Sequence, residues 1–377
     1  MKPLTLSADF LGNPRAARRV MIDVLIALSP CVCAAVFFFG YHVLINLIVC
    51  AGACFGTELL IELITKGFKK ENVKRASCRD FSCFVTGTLL ALILPSKVMV
   101  KNEGMNVRWD FNFYADGFRT GGGAEHILFS IDTVILCILG SVFAIGLVKM
   151  LFGGAGENLL NPAAAARLFL FACFTLTAVQ TAGPGFAASS GASWLSGDKA
   201  TSDAPMFLQM FLGNRGASGV GETSMVAILL GYIYLSVRRV IDFRIPLIGL
   251  GCFMLFILLF DGMIAKSLLF WPDAPQKLLN NVLANLLAGG FVFGLVFMAG
   301  DYSTTPHSFL GRVIFISGYA LFTALFRSFA DWSEGAIFAL LLMNILTPLI
   351  NRYVVPKSKS AKLGRVPAAQ QNAEVSL

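Results

Sequence analysis

Charge is what this chain has least of. Asp, Glu, Lys and Arg make up 14% of the 377 residues and histidine occurs three times, against 56% hydrophobic residues. The mean hydropathy of +0.73 lies outside the range of soluble domains, so a two-domain soluble enzyme of this length is excluded. Nine cysteines are present, but none stands in C-x-x-C spacing, and the two long polar stretches Lys97–His126 and Gln180–Glu222 contain none. That excludes a disulfide framework and a metal or iron–sulfur site built by this chain alone. His42, His126 and His307 have no ligand partner at helical spacing. No Gly-rich run is framed by a strand–turn–helix pattern, so the chain does not itself bind NADH in a Rossmann unit. The net charge of +8 follows the arrangement of apolar runs and is no nucleic-acid footprint. A basic start (Lys2, Arg15, Arg18, Arg19) precedes the first apolar run, but no small-residue cleavage site closes it, so no cleavable signal peptide is expected.

What is there is a series of ten apolar runs, each near the roughly 20 residues that span a bilayer. They start near Val20, Leu44, Phe81, Ile127, Ala163, Ser224, Ile245, Leu279, Val313 and Ala336. The fold class expected is an all-α polytopic membrane protein, embedded in the lipid bilayer and with no nucleic-acid partner. With the N-terminus in the cytoplasm, 21 of the 30 Lys and Arg fall in inner segments and 9 in outer ones. The positive-inside rule therefore places both termini inside. Span six then starts outside whereas span one starts inside, the pattern of two inverted five-helix repeats. The expected division is a cytoplasmic head (1–19), a first repeat (20–179), an outer loop (180–222) with a short interfacial helix near Pro205–Leu212, a second repeat (223–353) and a basic tail (354–377).

The most telling stretch is Gly216-Ala-Ser-Gly-Val-Gly-Glu-Thr-Ser224, directly before the run Met225–Leu235. Three glycines permit a tight turn and close approach to a ligand. Gly221, Glu222, Thr223 and Ser224 fall at the outer start of span six, where unpaired N–H groups and the helix dipole suit a phosphate. The Thr223 hydroxyl there could carry a phosphate ester or could serve simply as a helix cap. Asn161 before Pro162 reads as an N-cap with proline in the first turn.

Acids inside apolar runs are functional suspects by default. Glu58 and Glu62 share a helix face and are read either as part of a cation path or as partners of the basic loop Lys66–Arg79. Asp23 is expected to pair with Arg18 or Arg19. Asp301, with Thr304 and Thr305, could line an ion or cofactor site, or could form an Asx-type turn before Pro306. Glu157 and Asn158 have similar standing.

Four stretches together resemble one family: Leu151-Phe-Gly-Gly-Ala-Gly-Glu-Asn-Leu-Leu-Asn-Pro162, Gly221-Glu-Thr-Ser224, Gly300-Asp-Tyr-Ser-Thr-Thr-Pro306, and Glu334-Gly335 leading to Leu341-Leu-Met-Asn-Ile-Leu-Thr-Pro348. The likeness covers about residues 12–355 and is to the D subunit of the Rnf complex and the homologous B subunit of the sodium-pumping NADH:quinone oxidoreductase. It implies FMN joined through its phosphate to Thr223 by a dedicated flavin transferase, with a non-covalent riboflavin as a further cofactor. It also implies small membrane subunits, a second flavinylated subunit and iron–sulfur subunits as partners. The implied activity couples electron transfer between ferredoxin and NAD to Na+ or H+ movement in the bacterial cytoplasmic membrane, with no catalysis by this subunit alone. The short head favours the Rnf subunit over the quinone-reductase homologue. A passive small-solute channel is the alternative from a different class.

Overall fold

The computed structural model describes residues 14–69, 80–94, 131–154, 156–173, 208, 211–213, 219–264, 274–287, 290–330 and 335–354. The loops Lys97–His126 and most of Gln180–Glu222, the basic loop after Lys69, Glu334 and the tail lie outside these residues, and so does most of the expected interfacial helix. The described chain is helical, with no strand among the described residues. In order come α1 (Pro14–Phe39), α2 (His42–Lys69), α3 (Ser82–Ile93), α4 (Ile131–Val142) and α5 (Pro162–Cys173). After a 3₁₀ turn at Val220–Glu222 come α6 (Met225–Val237), α7 (Arg244–Ile264), α8 (Ala274–Leu287), α9 (Phe291–Phe293), α10 (Phe309–Phe329) and α11 (Gly335–Tyr353). α4 and α9 continue as π-helical stretches, Phe143–Met150 and Gly294–Met298.

Every apolar run read from the sequence returns as helix, but not at uniform length. Five segments among the described residues are long and apolar enough to cross a membrane: Ala17–Phe39, Val43–Thr65, Thr133–Met150, Phe309–Phe329 and Gly335–Tyr353. Others are shorter, and α3 and α6, of 12 and 13 residues, rise only about 20 Å against a hydrocarbon core of about 30 Å. The eighth run is not one helix: α8 ends at Leu287 and α9 restarts after Gly290. The protein is thus a polytopic helical membrane protein in which helices of spanning length pack against shorter ones. Lipid-facing side chains such as Ile48, Leu63, Val237 and Leu349 are exposed.

Two short helices can sit inside a membrane only if their freed backbone groups find partners. α3 ends at Leu94, and the Leu94 carbonyl accepts the Val220 N–H at 3.3 Å. Gly219 and Gly221 make this approach feasible. A Cβ on Gly219 would lie 2.9 Å from the carbonyl oxygens of Leu92 and Ile93, and one on Gly221 would lie 2.7 Å from Leu92 Cβ. α1 packs along α6, α2 on α3 and α4, α7 on α10, α10 on α11, and α5 on α11. α1 and α6 run antiparallel: Phe38 near the end of α1 approaches Gly213, which itself abuts Ser224. At their other end Asp23 accepts hydrogen bonds from Arg238 and Tyr234. The expected pairing of Asp23 with Arg18 or Arg19 gives way to this contact between α1 and α6, because the antiparallel packing sets Arg238 beside the start of α1.

Gly221→Ala is therefore expected to lower stability by about 1–3 kcal/mol, the usual range for overpacking against a fixed neighbour. Gly52→Ala is the control, since a Cβ there meets nothing within 4 Å. Thermal unfolding of the two purified variants checks the difference.

Candidate functional site

The Gly221–Ser224 motif sits where α3 and α6 meet. The Gly219 N–H donates to Glu222 Oε2 at 3.2 Å, so the acid folds back over the turn that precedes it. Its carboxylate lies against Gly290, in the interruption between α8 and α9, where any Cβ would collide with Oε1. Ser224 is the N-cap of α6: its hydroxyl accepts the Ala227 N–H at 3.4 Å. The Thr223 hydroxyl instead donates to the Val220 carbonyl at 2.9 Å, and the residue is 3% exposed. Of the two adjacent hydroxyls, then, Ser224 does the capping that the sequence allowed for Thr223. Thr223 is left at the helix start with its oxygen uninvolved in the helix N–H groups.

Around the motif is an aromatic and cationic layer that the sequence did not single out. Phe253 and Phe291 stack at 4.0 Å between centroids, and Phe291 and Tyr319 at 5.0 Å. The buried Arg327 lies over the Phe253 ring at 5.5 Å and donates to the Asn285 carbonyl. The Tyr319 hydroxyl donates to the Phe291 carbonyl at 3.2 Å, tying α10 to the start of α9. An arginine inside an apolar run was the available signal for this layer.

At the other end of α6, about 20 Å away by its length, a cavity opens among α1, α3, α6 and two motif loops. It is lined by Val24, Ser82, Lys149, Asn158, Asn161 and Asp301, among others. Its space for water centres is about 80 Å³, room for a handful of waters at roughly 10–15 Å³ each. Lys149 lies at its wall, fully buried: Nζ donates to Glu58 Oε1 at 2.8 Å, Glu58 Oε2 at 2.7 Å and Ser82 Oγ at 2.8 Å. Glu58 thus has a buried partner from α4's π-helical extension; the basic loop with which sequence paired it lies outside the described residues. The sequence held a signal for this, a lysine inside the fourth run facing a glutamate inside the second, but Lys149 reads there as an interfacial inner charge.

Asp301 reaches the same cavity. Its carboxylate accepts the Ser303 N–H at 3.2 Å and the Ser303 hydroxyl at 2.9 Å, an Asx turn as one sequence reading had it. Burial pushes this carboxyl above its ordinary range, and the two Ser303 bonds pull it partly back. Burial also raises Asp80, which Lys149 lowers and Glu58 and Glu62 raise. The Thr305 hydroxyl donates to the Asp301 carbonyl at 2.6 Å, and the Thr304 carbonyl accepts from Thr347 at 2.9 Å. So the fold brings Asp301 to the cavity wall and sets Glu58 behind Lys149 there, places Thr304 against Thr347 of α11, and holds Gly221–Ser224 at the far end. Asn161 caps α5 as expected, its Oδ1 accepting from Ala163 and Ala164.

The quoted motifs supply Glu222–Ser224 to one cluster and Asn158, Asn161 and Asp301 to the other, and a family profile spanning residues 5–101 and 130–360 covers both clusters. The chain belongs to the NQR2, RnfD, RnfE family. Among curated relatives it is similar to the D subunit of the Na(+)-translocating ferredoxin:NAD(+) oxidoreductase complex of Acetobacterium woodii, 32% identical over 92% of each chain. It is 28% identical to the D subunit of the proton-translocating ferredoxin:NAD(+) oxidoreductase complex of Clostridium ljungdahlii, over 93% of this chain and 94% of that one. The D subunit of the ion-translocating oxidoreductase complex of Stutzerimonas stutzeri is 30% identical over 90% of this chain and 91% of that one. For this family member, the Glu58–Lys149 pair gives a clear expectation. Removing one partner leaves an uncompensated buried charge, at a cost of about 3–5 kcal/mol. Lys149→Met and Glu58→Gln should each reduce folded yield and thermal stability, and the double variant should recover most of the loss. A double-mutant cycle of unfolding temperatures checks this.

Proposed function

We propose that the chain is the flavin-carrying D subunit of an Rnf-type complex, which couples electron transfer between ferredoxin and NAD to Na+ or H+ translocation across the bacterial cytoplasmic membrane. The ion-translocating oxidoreductase role rests on relatives that carry that name across nine-tenths of their length. FMN is joined to Thr223 by a phosphoester, placed by a flavin transferase on the outer face. The subunit works with small membrane subunits, a second flavinylated subunit and iron–sulfur subunits, and a non-covalent riboflavin is a further cofactor. The inverted-repeat reading draws support from matched packing: α2 on α4 parallels α7 on α10, while α1 meets α6 and α5 meets α11.

The observation that carries the flavin assignment is the division of labour between two neighbouring hydroxyls. Ser224 is committed to the helix N–H groups, whereas Thr223 gives its proton to a carbonyl and keeps its oxygen out of the cap. The residues fit the group in kind: an alcohol at the start of a 13-residue helix, whose dipole favours an anion. Esterification replaces the proton that Val220 accepts, so that hydrogen bond is given up. When bound, the isoalloxazine supplies one- and two-electron chemistry, joining two-electron donors to one-electron carriers. The chain's own part would be to hold that group through the Thr223 oxygen at the start of α6, with Glu222 folded over the preceding turn.

Denaturing gels of the subunit co-expressed with its flavin transferase test the assignment. Wild type and Ser224→Ala are expected to fluoresce, the latter at reduced yield because a lost N-cap costs about 1 kcal/mol. Thr223→Val is expected to be dark. A dark wild-type band beside a transferase that labels a known substrate would overturn the assignment and return the motif to a helix cap.

A further inference from the structure

In the Asp301 loop and on the helix that packs against it, three buried polar side chains, none of which the cavity lining includes, keep hydrogen-bonding capacity unused. Thr304 is 1% exposed and its Oγ1 has no partner. Asn344 is 0% exposed and neither Oδ1 nor Nδ2 has one. Thr347 donates its single proton to the Thr304 and Met343 carbonyls, at 2.9 and 3.1 Å, so its lone pairs remain. Asn344 and Thr347 are three apart on α11 and share a face. Buried polar groups in native proteins find partners, so a cluster left open in this way is shaped for something the protein alone does not supply.

A second feature of the sequence points the same way. Pro348 lies inside α11. Having no N–H, it cannot serve the carbonyl four residues earlier, and that carbonyl belongs to Asn344. The same residue thus contributes a side-chain oxygen and a backbone oxygen freed from the helix ladder. Together with Thr304 Oγ1 and Thr347 Oγ1 this makes four neutral oxygens from one loop and one interrupted helix. The nearest carboxylate in that loop is Asp301, whose own carbonyl is tied to the Thr305 hydroxyl. The nearby Arg312 is occupied, donating to the Pro306 carbonyl and to Asp242.

We propose that Thr304, Asn344 and Thr347 form a binding site for a dehydrated sodium ion, with Asp301 balancing its charge. Hard oxygen ligands select a hard cation, and carbonyls freed from interrupted membrane helices are a recurrent way to hold Na+. A divalent ion would require more carboxylates than the single one at hand. Thr304 belongs to the same loop as Asp301 and Ser303, which line the cavity beside Lys149. It rests on the ion-translocating reading only for its use in the cell; binding itself needs neither electrons nor flavin.

The test is a NaCl titration of the purified complex, read by thermal unfolding of this subunit at constant ionic strength, with KCl and choline chloride as comparisons. Saturable stabilisation by Na+ alone is expected. Thr304→Val, which keeps the shape and removes the hydroxyl, should weaken the midpoint at least tenfold, and so should Asn344→Leu. Thr223→Val should keep the wild-type sodium response, so a failed flavin assignment and a failed sodium site are told apart. The proposal is overturned if wild type responds equally to all three salts. It is also overturned if Thr304→Val keeps the wild-type midpoint, or is more stable in every salt because it has only lost an unsatisfied hydroxyl.

Discussion

The hydrogen bond from the Val220 N–H to the Leu94 carbonyl is the contact on which the rest of this structure depends. Inside a bilayer a helix that stops short exposes backbone groups that lipid cannot satisfy. α3 and α6 both stop short, and they solve the problem on each other, with two glycines bringing the backbones together. That places Thr223 at a helix start, next to the broken segment at Gly290. A bulkier residue at 219 or 221 would part the two helix ends.

The same economy of short helices separates the molecule into two chemical ends. One holds Glu222, Thr223, Ser224 and the aromatic layer with Arg327. The other holds the Glu58–Lys149 pair, Asp301 and the hydrated cavity. α1 and α6 join the ends, clamped by Asp23 with Arg238 at one and packed around Ser224 at the other. Buried ion pairs contribute little net stability, so the Glu58–Lys149 pair is better understood as a fixed feature of the cavity wall than as a source of stability.

How much of this was legible in the sequence differs by level. The helices were, because lipid requires long apolar runs and the runs are unambiguous; so was the Asn161 cap before Pro162. The candidate motif was legible as a helix start, but the choice between Thr223 and Ser224 as cap was not, since both are good capping residues and only the backbone direction at 223 decides it. Asp23 was given the wrong partner because sequence shows only near neighbours, and Arg238 lies 215 residues away. The Gly289-Gly290 pair stood in view inside the eighth run, but its apolar flanks led to a single span being read through residues 279–299. Lys149 and Asn344 were passed over because the sequence shows a polar residue inside an apolar run but not which partner it meets there. Proline at 348 was in plain view, and its effect on the Asn344 carbonyl follows from covalent chemistry alone.

Tandem mass spectrometry of the subunit isolated from its native membrane tests the central claim most directly. The account predicts that the peptide spanning Gly221–Ser224 carries one flavin mononucleotide less one water, with fragment ions placing it on the Thr223 oxygen. The same mass on Ser224, or an unmodified peptide from a preparation active in electron transfer, would contradict it.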